Sequence, residues 1–147
     1  PESKELGFVG RPHKINDEII IDKIKNNLIP IISPLGLGSD DKTYNINGDT
    51  AAGAIAKSLK SRRLLLMTNV EGVLNKDKIL IEEISSSKIM EMIDDKTITE
   101  GMIPKINTCL DAVKNGVKAV AIIDGRKKHS VLFEIFSDKG SGTLIRK

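Results

Sequence analysis

A short polar segment of the 147-residue chain concentrates side chains that bind ligands or cap helices. Asn45, Asn47, Asp49 and Thr50 fall within six residues, directly before a predicted helix of small residues. Each of these residue types commonly caps a helix, and Asn-Gly pairs favour turns. A cap accounts for one of the four residues, so a capped turn and a ligand-binding segment both remain open interpretations.

A second segment, Gly-Met-Ile-Pro-Lys at 101–105, predicts a helix start, because proline suits the first helical turn. The helix dipole places about half a positive charge there, so Lys105 is repelled unless an anion shares the site. Helix starts also bind phosphate. Two plainer interpretations stay open: Glu100 partly neutralises the lysine, or the long stem carries the charge into solvent.

The third segment, 68–74, follows a predicted buried strand. A hydroxyl at the strand end and a glycine in the loop allow a nucleotide to approach the backbone closely. The sequence contains neither the P-loop pattern Gly-x-x-x-x-Gly-Lys-Ser/Thr nor the dinucleotide pattern Gly-x-Gly-x-x-Gly. Other chemistry has little support. His13 and His129 lack metal-ligand spacing and are expected at the surface. Cys109 is expected in the core.

Composition narrows the classes of function. The charge is +3, and the 18 lysines and five arginines are scattered, with only 3% aromatic residues to stack on bases. We therefore expect no nucleic-acid partner. No apolar run approaches the ~20 residues of a membrane span, and no signal peptide is visible, so we expect no membrane partner. A single cysteine rules out a disulfide within this sequence and fits a cytoplasmic location.

Helical and extended patterns alternate along the chain. We predict a helix after Asn16, an apolar run at 28–33 and a loop at 34–46. Further helices are predicted at about 48–60, around 89–93, from 103 to 115 and at 130–136, with extended stretches at 63–68, 79–84, 117–123 and 142–145. This alternation predicts an α/β fold with a mostly parallel sheet covered on both faces. Ligands bind beyond the carboxyl ends of such strands, which directs attention to 34–49, 68–78 and 95–105.

Taken in order, these segments resemble the C-terminal half of the amino acid kinase family, in particular its acetylglutamate-phosphorylating branch. The likeness extends over essentially the whole chain. It rests on Leu-Gly-Phe-Val-Gly at 6–10, Tyr-Asn-Ile-Asn-Gly-Asp-Thr-Ala-Ala at 44–52, Thr-Asn-Val-Glu-Gly-Val-Leu at 68–74, Gly-Met-Ile-Pro-Lys at 101–105, Ile-Ile-Asp-Gly-Arg at 122–126 and Gly-Thr-Leu-Ile at 142–145.

The resemblance implies a three-layer αβα sandwich in which residues 1–147 form the C-terminal, ATP-binding half and the N-terminal substrate half is absent. It implies transfer of the γ-phosphoryl group of ATP to the side-chain carboxylate of N-acetyl-L-glutamate, in arginine biosynthesis. Magnesium would be carried with ATP. The full-length form would be a homo-oligomer.

The resemblance also assigns roles to residues. Asn45 would hold acetylglutamate, Asp49 would orient the lysines that neutralise the phosphoryl group, and Lys105 would be one of those lysines. The nucleotide pocket would be lined by Thr68, Asn69, Val70, Gly72 and Leu74, with Gly101 and Met102.

The sequence departs from the family pattern in three respects. Family members are about twice this length, so we expect a fragment that is inactive alone. Asn69 stands where aspartate is usual, and Gly48 where alanine is usual. Ala121 replaces a histidine of arginine-inhibited members, although Glu134 and Gly140 match, so arginine feedback stays open.

Two alternatives remain at this point. One is a family member acting on acetylaminoadipate, aspartate, glutamate or a nucleoside monophosphate. Asn45 favours acetylglutamate over these. The other is a non-catalytic nucleotide-binding or regulatory module within the same α/β fold. The presence of both Asp49 and Lys105 weighs against a pure binding module.

Overall fold

The computed structural model describes residues 7–98 and 101–147. Leu6 of the first motif and Glu100 beside the predicted helix start therefore lie outside the described residues. The helices are α1 (Asp17–Lys25), α2 (Gly48–Ser58), α3 (Ser86–Asp94), α4 (Ile103–Lys114) and α5 (Ser130–Phe136). The strands are β1 (Val9–Gly10), β2 (Leu35–Leu37), β3 (Thr43–Ile46), β4 (Arg63–Thr68), β5 (Glu83–Ser85), β6 (Ala119–Asp124) and β7 (Gly142–Arg146).

The strands form two sheets. The larger has the order β4-β6-β7-β5, with β4–β6 and β5–β7 parallel and β6–β7 antiparallel. The smaller has the order β1-β3-β2, with β1–β3 parallel and β2–β3 antiparallel. The α/β class is confirmed, and three of the five strand pairings are parallel, but the described strands are divided between two sheets.

Helices cover both faces of the larger sheet. On one face, Leu66, Val120 and Ile122 pack in a buried cluster with Ile106 and other side chains of α4. Arg63 points to the opposite face, because side chains alternate along a strand. Its guanidinium donates to the Glu134 carbonyl of α5 at 2.9 Å. α5 therefore forms the third layer, and every residue of β6 is buried between the two helices.

The prediction of a loop at 34–46 is wrong. The segment forms the antiparallel pair β2–β3, in which Leu35 lies opposite Asn45 and Leu37 opposite Thr43. The Gly38 N–H donates to the Lys42 carbonyl at 2.8 Å and closes the connection. The alternation of apolar residues on either side of the Gly-Ser-Asp-Asp stretch was the overlooked signal of a hairpin.

The apolar run at 28–33 forms no strand with any described residue. Ile29 and Ile31 are 90% and 98% exposed. The extended stretch at 79–84 is also shorter than predicted: a strand occupies Glu83–Ser85, and Leu80 makes only an isolated bridge to Leu74. Across 7–98 and 101–147, none of the helices is long and apolar enough to cross a membrane.

Candidate active site

At the start of α2, the structure shows which of the neighbouring polar residues caps the helix. Asn47 is the N-cap, and its side-chain oxygen accepts from the Thr50 N–H at 3.1 Å and from the Thr50 hydroxyl at 3.3 Å. Asp49 lies in the first turn and makes a different contact. The capped turn is therefore present, and it leaves the Asp49 carboxylate free to act elsewhere.

Asp49 forms an ion pair with Lys105, in which the lysine ammonium donates to Asp49 Oδ2. The pair joins the first turn of α2 to the first turn of α4. The side chains are only 31% and 17% exposed, so Lys105 is not a solvated surface charge. The lysine at the positive end of α4 has an anionic neighbour, and in this structure that neighbour is the Asp49 carboxylate.

Cys109 lies one helical turn beyond Lys105 and is fully buried. Burial raises the pKa of its thiol to about 12, and the Lys105 charge opposes this only in part. The thiol is therefore neutral at physiological pH and is a core side chain, as predicted. His13 and His129 are both exposed, also as predicted. The described residues contain no group of three or more His, Cys, Asp or Glu side chains that could hold a metal ion.

A cavity of about 500 Å³ lies beside the 68–78 loop. Four residues predicted to contact nucleotide line it together: Val70, Gly72, Leu74 and Met102. The remaining three do not line this cavity: Thr68 ends β4, Asn69 is exposed at the start of the loop, and Gly101 is exposed just before α4. The loop and the helix start thus meet at one pocket, although Leu74 and Met102 lie 28 positions apart in the sequence.

Thr143 on β7 holds the cavity loop in place. Its fully buried hydroxyl accepts from the Val73 N–H at 2.8 Å. Gly72 has φ near +150°, and a Cβ there would lie 2.5 Å from Thr143 Oγ1. Only glycine fits this close approach without strain. The sequence prediction missed Thr143, because only the pairing of β6 with β7 brings it to the loop.

The cavity wall carries positive charge. Lys76, Lys78 and Lys96 line it together with a single carboxylate, Asp95. A hydrogen bond from the Thr97 hydroxyl, reinforced by Lys76 at 2.9 Å, lowers the Asp95 pKa to about 2. Three cations and one anion leave an excess of positive charge, which suits a polyanionic ligand. The sequence prediction passed over these lysines because they are scattered along the chain.

Asn45 occupies β3, two residues before the Asn47 cap. Its backbone N–H donates to the Phe8 carbonyl at 2.8 Å, and its side chain is exposed. The residue therefore lies at the end of the small sheet that leads into α2, close in sequence to Asp49. It does not line the cavity beside the 68–78 loop.

Comparison with known proteins identifies the class of protein to which this chain belongs. The sequence pattern of the amino acid kinase family matches residues 2–124, and the chain belongs to this family. More particularly, it is 61% identical over 146 residues to the acetylglutamate kinase of Pelagibacter ubique, covering 99% of this chain and 51% of that protein. It is 52% identical to the acetylglutamate kinase of Methylobacterium nodulans, covering 97% of this chain and 47% of that protein. The chain thus spans about half the length of the curated relatives it matches.

Solved structures show the same fold. The chain is similar to N-acetylglutamate synthase from Neisseria gonorrhoeae complexed with coenzyme A and L-arginine, with a TM-score of 0.89 and 26% identity, over 97% of this chain and 33% of that one. It is similar to the smu.665 protein of Streptococcus mutans, with a TM-score of 0.77 and 38% identity, over 95% of this chain and 51% of that one.

Proposed function

We propose that this chain supplies the C-terminal, ATP-binding part of a cytoplasmic enzyme of arginine biosynthesis. That enzyme transfers the γ-phosphoryl group of ATP to the side-chain carboxylate of N-acetyl-L-glutamate. The identity to acetylglutamate kinases supports the substrate. Because the chain spans about half of those relatives, we propose that residues 1–147 act together with a substrate half, and that the complete enzyme is a homo-oligomer.

The Asp49–Lys105 ion pair is the observation that carries this proposal. Phosphoryl transfer needs positioning and fixed positive charge rather than a covalent nucleophile. A lysine ammonium has three N–H donors. The contact with Asp49 uses one of them and leaves two for the oxygens of the transferring phosphoryl group. Asp49 keeps the ammonium in one orientation, so little reorganisation is needed when negative charge develops.

The nucleotide is proposed to bind along the 68–74 loop and the start of α4. Val70, Gly72, Leu74 and Met102 supply cavity walls, and the lysines of the cavity attract the phosphates. Thr68, Asn69 and Gly101 are proposed to contact the nucleotide at the edge of this region. Magnesium is proposed to be carried by the ATP phosphates, because the described side chains do not form a metal cage. Asn45 is proposed to hold acetylglutamate.

The decisive experiment removes the Lys105 charge in a complete enzyme. We would join this chain to the part of the Pelagibacter ubique relative that it does not match and measure ATP-dependent phosphorylation of acetylglutamate. Lys105→Ala is expected to lower kcat by about 10²–10³ with a smaller change in KM for acetylglutamate, since it removes one preorganised electrostatic contact. Lys88→Ala, on the exposed face of α3, is the matched control and should leave kcat unchanged.

The partner residue sharpens this test. Asp49→Ala is also expected to lower kcat, and the double variant should be less impaired than the product of the two single losses, because both residues act on one charge network. An unchanged rate for Lys105→Ala would overturn the proposed role of the pair. Additive losses would show that the two residues act independently.

Mg-ATP binding tests the nucleotide assignment separately. The 147-residue chain alone is expected to bind Mg-ATP weakly and to show no turnover, because part of the phosphate-binding surface would come from the other half of the enzyme. Calorimetric titration at millimolar ATP measures the binding. An absence of heat at that concentration would contradict the ATP-binding assignment, and turnover by the chain alone would contradict the proposed division of the active site.

A non-catalytic regulatory module is the second candidate. It is favoured by the likeness to the Neisseria gonorrhoeae structure, which is a synthase complexed with coenzyme A and L-arginine. The joined protein distinguishes the two candidates. A module would bind nucleotide or arginine without phosphorylating acetylglutamate, and Lys105→Ala would then change binding alone.

A further inference from the structure

Helices α2 and α4 run side by side, and the Asp49–Lys105 pair lies at one end of the seam between them. From that pair onwards, every fourth residue of α2 faces every third residue of α4. Spacings of three and four residues keep side chains on one face of a helix. Along this seam, three pairs face one another: Asp49 with Lys105, Gly53 with Thr108, and Lys57 with Asp111.

The middle pair brings the two helices into close approach. Gly53 is buried, and a Cβ added there would lie 2.8 Å from Thr108 Cγ2. Ordinary carbon–carbon contacts are about 3.5–4.0 Å, so a side chain at position 53 requires Thr108, or the helix that carries it, to move by roughly 1 Å. The Thr108 hydroxyl donates to the Pro104 carbonyl at 3.2 Å, which restrains the side chain as its methyl faces Gly53.

The far pair specifies how α2 and α4 are aligned lengthwise. The Lys57 ammonium donates to Asp111 Oδ2, so α2 contributes the anion at one end of the seam and the cation at the other. If α4 were shifted along α2 by three residues, Lys57 would lie opposite Lys114 and Asp49 would no longer contact Lys105. Like charges at that distance repel, so the observed alignment is the one that satisfies both ion pairs.

We propose that this seam positions the catalytic lysine: the Gly53–Thr108 contact sets the separation of α2 and α4, and the Lys57–Asp111 pair sets their register. Lys105 is thereby held against Asp49 by residues that do not touch the substrate. The inference rests on the proposed function, because it gives Lys105 the contact with the phosphoryl group. Gly53, Thr108, Lys57 and Asp111 are positioning residues.

The first test widens the seam in the joined enzyme. Gly53→Ala is expected to lower kcat about ten- to hundredfold while KM for ATP stays within about twofold, since a displacement of 1 Å can cost about a hundredfold in rate. Gly48→Ala is the matched control: it lies on the same helix, closer to Asp49, and its Cβ would meet nothing within 4 Å. An unchanged kcat for Gly53→Ala would overturn the proposal.

The second test restores the space. Serine at 108 keeps the hydroxyl that bonds to Pro104 and removes the methyl that the new Cβ would meet. Gly53→Ala combined with Thr108→Ser is therefore expected to recover kcat to within about threefold of the parent. Failure of this rescue would overturn the proposal.

The third test addresses register and does not depend on Gly53→Ala folding. Lys57→Asp places two carboxylates together and is expected to lower kcat, and Lys57→Asp with Asp111→Lys restores an ion pair and should recover it. The same exchange at the exposed Lys88–Glu91 pair of α3 is the control and should change nothing at either step. Equal rates for Lys57→Asp and the parent would contradict a role in register.

A readout without turnover separates this inference from the proposed function. In the 147-residue chain, the Asp49 contact should slow proton exchange of the Lys105 ammonium enough for its proton–nitrogen NMR signal to be seen. Gly53→Ala should abolish that signal and Thr108→Ser should restore it. If every joined form is inactive, the proposed function fails, and this signal alone decides on the seam: its persistence in Gly53→Ala refutes the positioning role.

Discussion

Two isoleucine-rich segments of this chain differ in structure: one is a buried strand, and the other forms no strand with any described residue and is mostly exposed. Strand β6 has the sequence Ala-Val-Ala-Ile-Ile-Asp, and all six residues are buried. Residues 28–33 have the sequence Leu-Ile-Pro-Ile-Ile-Ser, which is no less apolar, yet they form no described strand and Ile31 is 98% exposed. Apolar composition alone does not distinguish the two segments.

The difference lies in their neighbours. β6 has β4 on one side, β7 on the other, and the helices α4 and α5 on its two faces. Its backbone groups are paired and its side chains leave water, which together stabilise a strand. The 28–33 run pairs with no strand among the described residues, and most of its side chains are exposed. A strand is therefore a property of a segment and its surroundings, and four measurements can test this.

The largest expected effect is in β6. Ile122→Ala removes a fully buried side chain from the cluster shared with α4 and should lower the free energy of unfolding by about 2–5 kcal/mol. Urea unfolding of the 147-residue chain measures it. A loss below 1 kcal/mol would show that β6 is less tightly packed than the structure indicates.

The second-largest loss of stability is expected where a buried backbone N–H group loses its hydrogen-bond acceptor. Thr143→Val keeps the shape of the side chain but removes the hydroxyl that accepts from the Val73 N–H. The unfolding free energy should fall by about 1–3 kcal/mol, because a buried donor is left without an acceptor. Thr43→Val, on an exposed position of β3, is the control, and equal losses for the two variants would contradict this explanation.

The carboxyl end of β6 should make stability depend on pH. The Arg126 side chain and backbone hydrogen-bond to Asp124 and lower its pKa to about 2, against about 3.9 in an unfolded chain. The folded pKa is the lower one, so the contribution is fully present above pH ~4 and disappears as pH falls towards 2. Unfolding midpoints of the parent and Asp124→Asn should differ most at pH 6 and converge near pH 2. Asp138→Asn is the exposed control, and a gap that stays constant with pH would contradict the assignment.

The smallest effect is expected in the exposed run. Ile31→Ala in the 147-residue chain should change the free energy of unfolding by no more than about 0.5 kcal/mol, as is usual for surface positions. The same urea measurement gives the value, with Ile122→Ala as the reference. A loss comparable to that of Ile122→Ala would show that the run packs in solution and would remove the contrast between the two segments.

Much of the fold was predictable because local signals and tertiary packing agree. Ser85 caps α3, Pro104 lies in the first turn of α4, and α5 has the bounds that were predicted. β6 was placed to within two residues at its start. The exceptions are segments whose structure depends on distant pairing: the hairpin of β2 and β3, the short strand β5, and the exposed run.

In the candidate site too, some residues were predictable from the sequence and others were not. Asp49 and Lys105 were singled out from residue type and helix position, and the structure brings their side chains into contact. Thr143 and Asp111 escaped notice, because nothing in their local sequence distinguishes them. Their importance comes from a strand pairing and a helix seam that join residues 54 to 70 positions apart.

The sequence alone determined the alternation of helices and strands, the aliphatic core and the polar residues suited to phosphate chemistry, because periodicity, capping and residue type act over a few neighbouring positions. Only the tertiary structure decided which carboxylate meets Lys105 and which isoleucines are buried away from water. Those outcomes depend on which surfaces come together, and packing and electrostatic contact act through space rather than along the chain.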